Sequence, residues 1–131
     1  MRVYLAIKYV EGHANRDRIE GITAILERHG IATYCVARDL EQWGTVSFDA
    51  QALMQKAFQE IDASNLVLVD LTEKGVGVGI EAGYAFAKQI PVMTIAQSGS
   101  DISTTIRGIS RKVVQYTAYD DLSSFLDDMQ L

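Results

Sequence analysis

The stretch Asn65–Phe86, NLVLVDLTEKGVGVGIEAGYAF, decides how the chain is read. Its first part, Leu66 to Val69, is apolar without alternation, as a strand covered by helices on both faces requires. Such a strand lies centrally in a parallel sheet, and parallel neighbours need helical crossovers. Its second part sets Gly75, Gly77 and Gly79 directly before Glu81 and a run that reads as helix to about Lys88. Residues without a Cβ let the main chain approach a ligand closely, and the first free amides of a helix suit anions.

The same alternation of strand and helix extends outward in both directions. Toward the N-terminus, RVYLAIKY (2–9) reads as a strand, and a helix follows from Asn15 as N-cap to His29, closed by Gly30. Its core stripe is Ile19, Ile22 and Leu26. IATYCVA (31–37) reads as a second strand and Arg38 to Thr45 as a polar loop. Ser47 is placed to cap a helix with Ala50, Leu53, Met54, Ala57, Phe58 and Ile61 at helical spacing. Toward the C-terminus come a strand PVMTIA, a loop QSGSDIST, a strand KVVQY and an amphipathic closing helix DDLSSFLDDMQL with a solvated acidic face. The pattern predicts one α/β domain over residues 1–131, a doubly wound five-stranded parallel sheet with helices on both faces. Ligands of such sheets bind beyond the carboxyl ends of the strands, which puts four loops on the predicted rim: 8–14, 38–45, 72–79 and 97–103.

Composition narrows the function classes. With 48% hydrophobic and 22% charged residues in 131, the chain matches ordinary soluble globular domains. A net charge of -5 opposes a grip on phosphate backbones, so no nucleic acid partner is expected. No apolar run approaches the roughly 20 residues that cross a bilayer, so no membrane partner is expected and the expected location is cytoplasmic. The single cysteine, Cys35, lies in an apolar strand pattern and reads as a small core residue, with neither redox chemistry nor a metal implied.

Gly77, Gly79 and Ala82 fit G-x-G-x-x-A, but the dinucleotide fingerprint needs a ribose-binding acid about twenty residues on, and PVMTIA ends without one. A phosphate loop also fails, because no Gly-Lys-Ser/Thr follows. Two readings of Glu81 remain. In the first it only favours a helix start after a tight glycine turn; in the second it stands ionised in the first helical turn, ready to attack an anomeric carbon. On spacing alone the first is the stronger.

VYLA (3–6), the stretch NLVLVDLTEKGVGVGIEAGYA and STTIRG (103–108) together resemble the nucleoside 2-deoxyribosyltransferase superfamily, and are most similar to its 2'-deoxynucleoside 5'-phosphate N-hydrolase branch. The resemblance covers nearly the whole chain and reverses the balance on Glu81. It implies a flavodoxin- or Rossmann-like fold, Glu81 as the nucleophile, Tyr4 as the group that holds it, and Ser103 as a phosphate ligand. In dimeric relatives that serine can come from the neighbouring subunit, so the resemblance also implies a homodimer or higher homo-oligomer. The implied reaction is hydrolysis of the N-glycosidic bond of a (deoxy)nucleoside 5'-monophosphate, without a cofactor. Base exchange between nucleosides, or nucleotide binding without catalysis, are the alternatives.

Three positions depart from the pattern. Ile7 and Lys8 stand where relatives have a glycine and a phosphate-binding serine; Lys8 either supplies a cation to a phosphate or is simply solvated. Gly75 replaces a second phosphate-binding serine, leaving main-chain amides there and at Gly77 and Gly79. Ala57 stands where relatives carry an aspartate that helps the base depart. Asp70, at the end of the third strand, is the substitute candidate, or else caps the following loop. Among other residues, His13 and Trp43 are rim positions able to touch a ligand, Tyr84 either stacks on a base or packs inward, and His29 suits a helix C-terminus.

Overall fold

The computed structural model describes residues 1–129. Five strands, β1 (Arg2–Ile7), β2 (Ala32–Tyr34), β3 (Leu66–Asp70), β4 (Val92–Gln97) and β5 (Val113–Tyr116), form one parallel sheet in the order β2-β1-β3-β4-β5. The helices are α1 (Arg16–Arg28), α2 (Ala50–Asp62), α3 (Val76–Ala87), α4 (Thr104–Ile109) and α5 (Ser123–Asp127). The predicted doubly wound α/β architecture is therefore present. Every residue of β3 is buried, which accounts for its unbroken apolar run.

Alternation along the strands divides the interior into two cores. Val3, Leu5, Leu66 and Leu68 point to one face and pack with Ile19, Ile22 and Leu26 of α1 and Phe125 and Leu126 of α5. Tyr4, Ala6, Val67 and Val69 point to the other and pack with Ile61 of α2, Val78, Ala82 and Ala85 of α3, and Ile106 of α4. β1 leads into α1 on the first face, whereas its neighbour β3 leads into α3 on the second. The chain thus diverges at the carboxyl ends of β1 and β3, and a crevice opens between the two departing connections.

Local boundaries differ from the sequence reading in four places. β2 ends at Tyr34, and the chain then winds into a single π-helical turn over Val36–Leu40 instead of continuing as strand and loop. The Asp39 carboxylate accepts the Cys35 amide at 2.9 Å, competing with the ladder for that donor. Asp49, not Ser47, caps α2, its carboxylate accepting the Ala52 amide at 2.8 Å. A short α4 follows the loop QSGSDIST, in a stretch before β5 to which the sequence reading assigned no element. The closing segment is a 3-10 turn at Tyr119–Leu122 followed by α5, and the last two residues of the expected closing helix, Gln130 and Leu131, lie outside the described residues.

Candidate active site

The loop after β3 delivers Glu81. Gly75 is the extended N-cap residue of α3, so Gly77 and Gly79 lie inside the helix and not in a turn before it. Glu81 consequently stands in the second helical turn, beyond the free amides of the first, which corrects the placement expected from spacing. Gly77 lies beside Glu81 Oε1, where a Cβ would make an ordinary van der Waals contact at 3.9 Å.

Tyr4, fully buried in β1, donates its hydroxyl to Glu81 Oε2. Its ring stacks on Tyr34 with centroids 6.0 Å apart, which fixes the direction of the donor. Burial first, and then the Glu81 charge, push the Tyr4 hydroxyl far above the usual phenol range, so it remains a proton donor at any working pH. Glu81 retains some accessible surface because a cavity opens onto it, but protein surrounds its carboxyl on the other sides. That desolvation raises its pKa from the ordinary 4.5 to about 7, against the lowering effect of the Tyr4 hydrogen bond. The carboxyl is thus poised between its two forms at neutral pH, and is not held ionised by the helix dipole as the sequence reading had it.

The cavity measures about 330 Å³, within the size range of small-ligand sites. From β1 and its loop come Ile7, Lys8 and His13; from the π turn come Val36, Ala37 and Glu41. α2 contributes an apolar wall of Leu53, Met54 and Ala57, and Gly75 and Gly77 complete the rim beside Glu81. Lys8 passes close to Gly75, where a Cβ would lie 3.1 Å from its Cγ; the glycine makes room for the lysine stem. Asn15 holds this loop, donating Nδ2 to the Lys8 carbonyl at 3.0 Å, and so does not cap α1 with its side chain. Among the described residues no three His, Cys, Asp or Glu side chains converge as a metal site.

A family model described as nucleoside 2-deoxyribosyltransferase matches residues 3–122. The chain belongs to this family. Solved structures of the same fold include a 2-deoxyribosyltransferase from Bacillus psychrosaccharolyticus, at 15% identity over 96% of both chains with a TM-score of 0.77. The CMP N-glycosidase BcmB of Clostridium botulinum aligns at 21% identity over 97% of this chain and 98% of its own, TM-score 0.68. A flavodoxin from Pseudomonas aeruginosa aligns at 15% identity over 98% and 95%, TM-score 0.52. No curated protein sequence matches.

Within this deoxyribosyltransferase-family fold the predicted residues separate. Glu81, Tyr4, Gly77, Gly75 and Lys8 gather at the cavity. Asp70 does not. It belongs to the Leu66–Leu68 side of β3, facing α1, and so points through the sheet away from Glu81. Its Oδ2 accepts the Tyr116 hydroxyl at 2.9 Å and lies 3.4 Å from Arg18 Nε, while Oδ1 accepts the Thr72 amide at 2.8 Å. This is the loop-capping alternative, and a wholly buried side chain so engaged cannot stand in for the absent acid. Ser103 is also outside the cavity of its own chain: it precedes α4 and its hydroxyl pairs with Thr105 at 2.8 Å. Gly79 faces open space on the outer side of α3.

Ala57 lines the cavity, so the position where relatives carry an aspartate does face the site, without an acid. The neighbouring acids of α2 are engaged elsewhere, Glu60 with Arg2 and Asp62 with the Tyr84 hydroxyl at 2.8 Å and Lys88 at 3.7 Å. Tyr84 is half-exposed, stacked on Phe58 of α2 at 4.1 Å, and does not line the cavity. Trp43 lies against Arg16 and the edge of His13 and does not line the cavity. His29 does sit at the end of α1, its Nδ1 2.9 Å from the Ile25 carbonyl oxygen. Cys35 is buried, its thiol pushed up to about 11 by desolvation, but it also borders the cavity. The residue that sequence reasoning passed over is Glu41. It borders the cavity at the end of the π turn, and no local pattern announced that winding.

Proposed function

We propose that the chain hydrolyses the N-glycosidic bond of a (deoxy)nucleoside 5'-monophosphate. Glu81 attacks the anomeric carbon to form a glycosyl-enzyme, the base departs, and water releases the sugar phosphate. One observation carries this reading: a glutamate lining a cavity of about 330 Å³, one oxygen fixed by a buried tyrosine hydroxyl and the other beside Gly77. Tyr4 orients the carboxylate and favours its ionised form, and the apolar wall of α2 suits the flat face of a base. Lys8, beside the amide-bearing loop at Gly75, supports a phosphate at that end of the cavity. Ser103 does not line its own cavity, and in this reading it serves the cavity of a neighbouring copy in a homodimer or higher homo-oligomer.

The test is incubation with a panel of nucleoside monophosphates and nucleosides, followed by chromatography for released base, with Glu81→Gln alongside. Release of base from monophosphates, lost in Glu81→Gln, is the expected result. Equal release from free nucleosides would remove the phosphate from the proposal. A new nucleoside on addition of a second free base would make the chain a transferase.

A further inference from the structure

A retaining glycosyl transfer needs a proton carrier beside its nucleophile, because the base leaves poorly as an anion and the water that frees the sugar must lose a proton. The wall where that acid is expected, α2, presents Leu53, Met54 and Ala57. Glu60, Asp62 and Asp70 are engaged outside the cavity. A second acidic residue besides Glu81 nevertheless lines the cavity, Glu41, at the end of the π turn after β2.

Building on the proposed hydrolase reading, we propose that Glu41 is the acid and base of this reaction. In the first step the Glu81 carboxylate bonds to the anomeric carbon, the carbon–nitrogen bond breaks with its electron pair going to the base, and the Glu41 carboxyl proton passes to that base. In the second, water bonds to the anomeric carbon, its proton returns to the Glu41 carboxylate, and the bond to Glu81 breaks with its electrons restoring the carboxylate.

The backbone of Glu41 is fixed while its side chain is free. Its amide donates to the Val36 carbonyl at 2.9 Å, and its own carbonyl accepts the amides of Gly44 and Val46, each at 3.0 Å. The i-to-i+5 bond from Glu41 to Val36 closes the turn, and both of these residues line the cavity whereas Leu40 does not. Among the described residues its carboxylate has no hydrogen bond or ion pair. The other proton carriers at the cavity are less well placed. The His13 ring is packed edge to face with Tyr9 and Trp43 at 5.7 and 5.8 Å. Lys8 leans on Gly75, Tyr9 is largely in solvent, and Cys35 is buried.

The test compares Glu41→Gln with the unaltered chain on the best monophosphate from the panel and on its ring N-methylated form, whose cationic base departs without needing a proton. Glutamine keeps the size and polarity of the side chain but has no acid to give. On the ordinary substrate kcat should fall about 10²- to 10⁴-fold with KM little changed, and on the methylated substrate the loss should shrink to a few-fold. Added formate should restore part of the rate to Glu41→Ala, with both variants melting like the unaltered chain. Equal losses on both substrates, a raised KM at unchanged kcat, or failure of formate to rescue would overturn the assignment. If the unaltered chain releases base, Glu81→Gln does not, and Glu41→Gln is fully active, this inference fails alone. If the unaltered chain releases none, the hydrolase reading fails with it.

Discussion

Asp70 and Glu81 stand one connection apart at the carboxyl end of the same strand, and the sheet separates them. Asp70 projects to the α1 face, where the Tyr116 hydroxyl, the Thr72 amide and the Arg18 guanidinium meet it and no space remains. Glu81 returns from α3 on the opposite face, where one tyrosine hydroxyl meets it and a cavity takes the rest of its surroundings. One carboxylate is engaged by three partners; the other is desolvated, which raises its pKa to about 7. The comparison teaches that a carboxylate at a sheet rim is structural or reactive according to which face carries it and how many donors that face supplies.

The largest expected effect separates the two directly. Glu81→Gln should lower base release by at least about 10⁴-fold, as loss of a covalent nucleophile does, whereas Asp70→Asn should leave kcat/KM of the folded protein within a few-fold. Matching losses in the two variants, read from initial rates, would break the contrast. Stability should move the other way. Asp70→Asn should lower unfolding stability by about 2 kcal/mol or more, because a buried network loses its charge, although Arg18 keeps Glu73 at 2.8 Å.

Glu81→Gln should instead stabilise, and the sign follows from its raised pKa. Between about 4.5 and 7 the folded chain holds a proton on Glu81 that the unfolded chain has lost, so stability falls as pH rises through that window. Denaturant melts should show Glu81→Gln ahead by about 2 kcal/mol at pH 8 and level with the unaltered chain near pH 4.5. A variant that is less stable at pH 8 would mean that the carboxylate is not desolvated.

Tyr4→Phe sharpens the comparison by removing the single donor. Since that hydrogen bond lowers the pKa of Glu81, its loss should raise it further. The rising limb of kcat/KM, expected near pH 7 in the unaltered chain, should shift upward, with a loss of about 10- to 100-fold at pH 7. An unshifted limb would assign it to another group. The smallest effect belongs to Lys8→Met, which should raise KM for monophosphates by roughly three- to tenfold and leave free nucleosides unchanged, given the exposure of the lysine.

Much of this was legible without coordinates. The unalternating run of β3 required a covered central strand, and strands alternating with helices required a parallel doubly wound sheet, because these patterns follow from local periodicity and burial. Glu81 and Tyr4 were legible through the resemblance and meet as it implied. Asp70 was left open between acid and loop cap although strand parity already aligned it with Leu66 and Leu68; the sequence did not show which face α1 would cover. The cap of α2 moved from Ser47 to Asp49 because several polar residues precede the helix and only one carboxylate reaches the Ala52 amide.

By itself, then, the amino-acid order determined the main strands and helices and their alternation, since periodicity is a property of neighbours along the chain, while the pairing of Tyr4 with Glu81 was implied by the resemblance. Only the tertiary structure decided that Asp70 is sealed, that Ser103 lies outside its own cavity, that burial raises the pKa of Glu81 to about 7 and that Glu41 borders the same cavity. Desolvation and side-chain pairing depend on what other segments pack against a residue, and no local pattern contains that information.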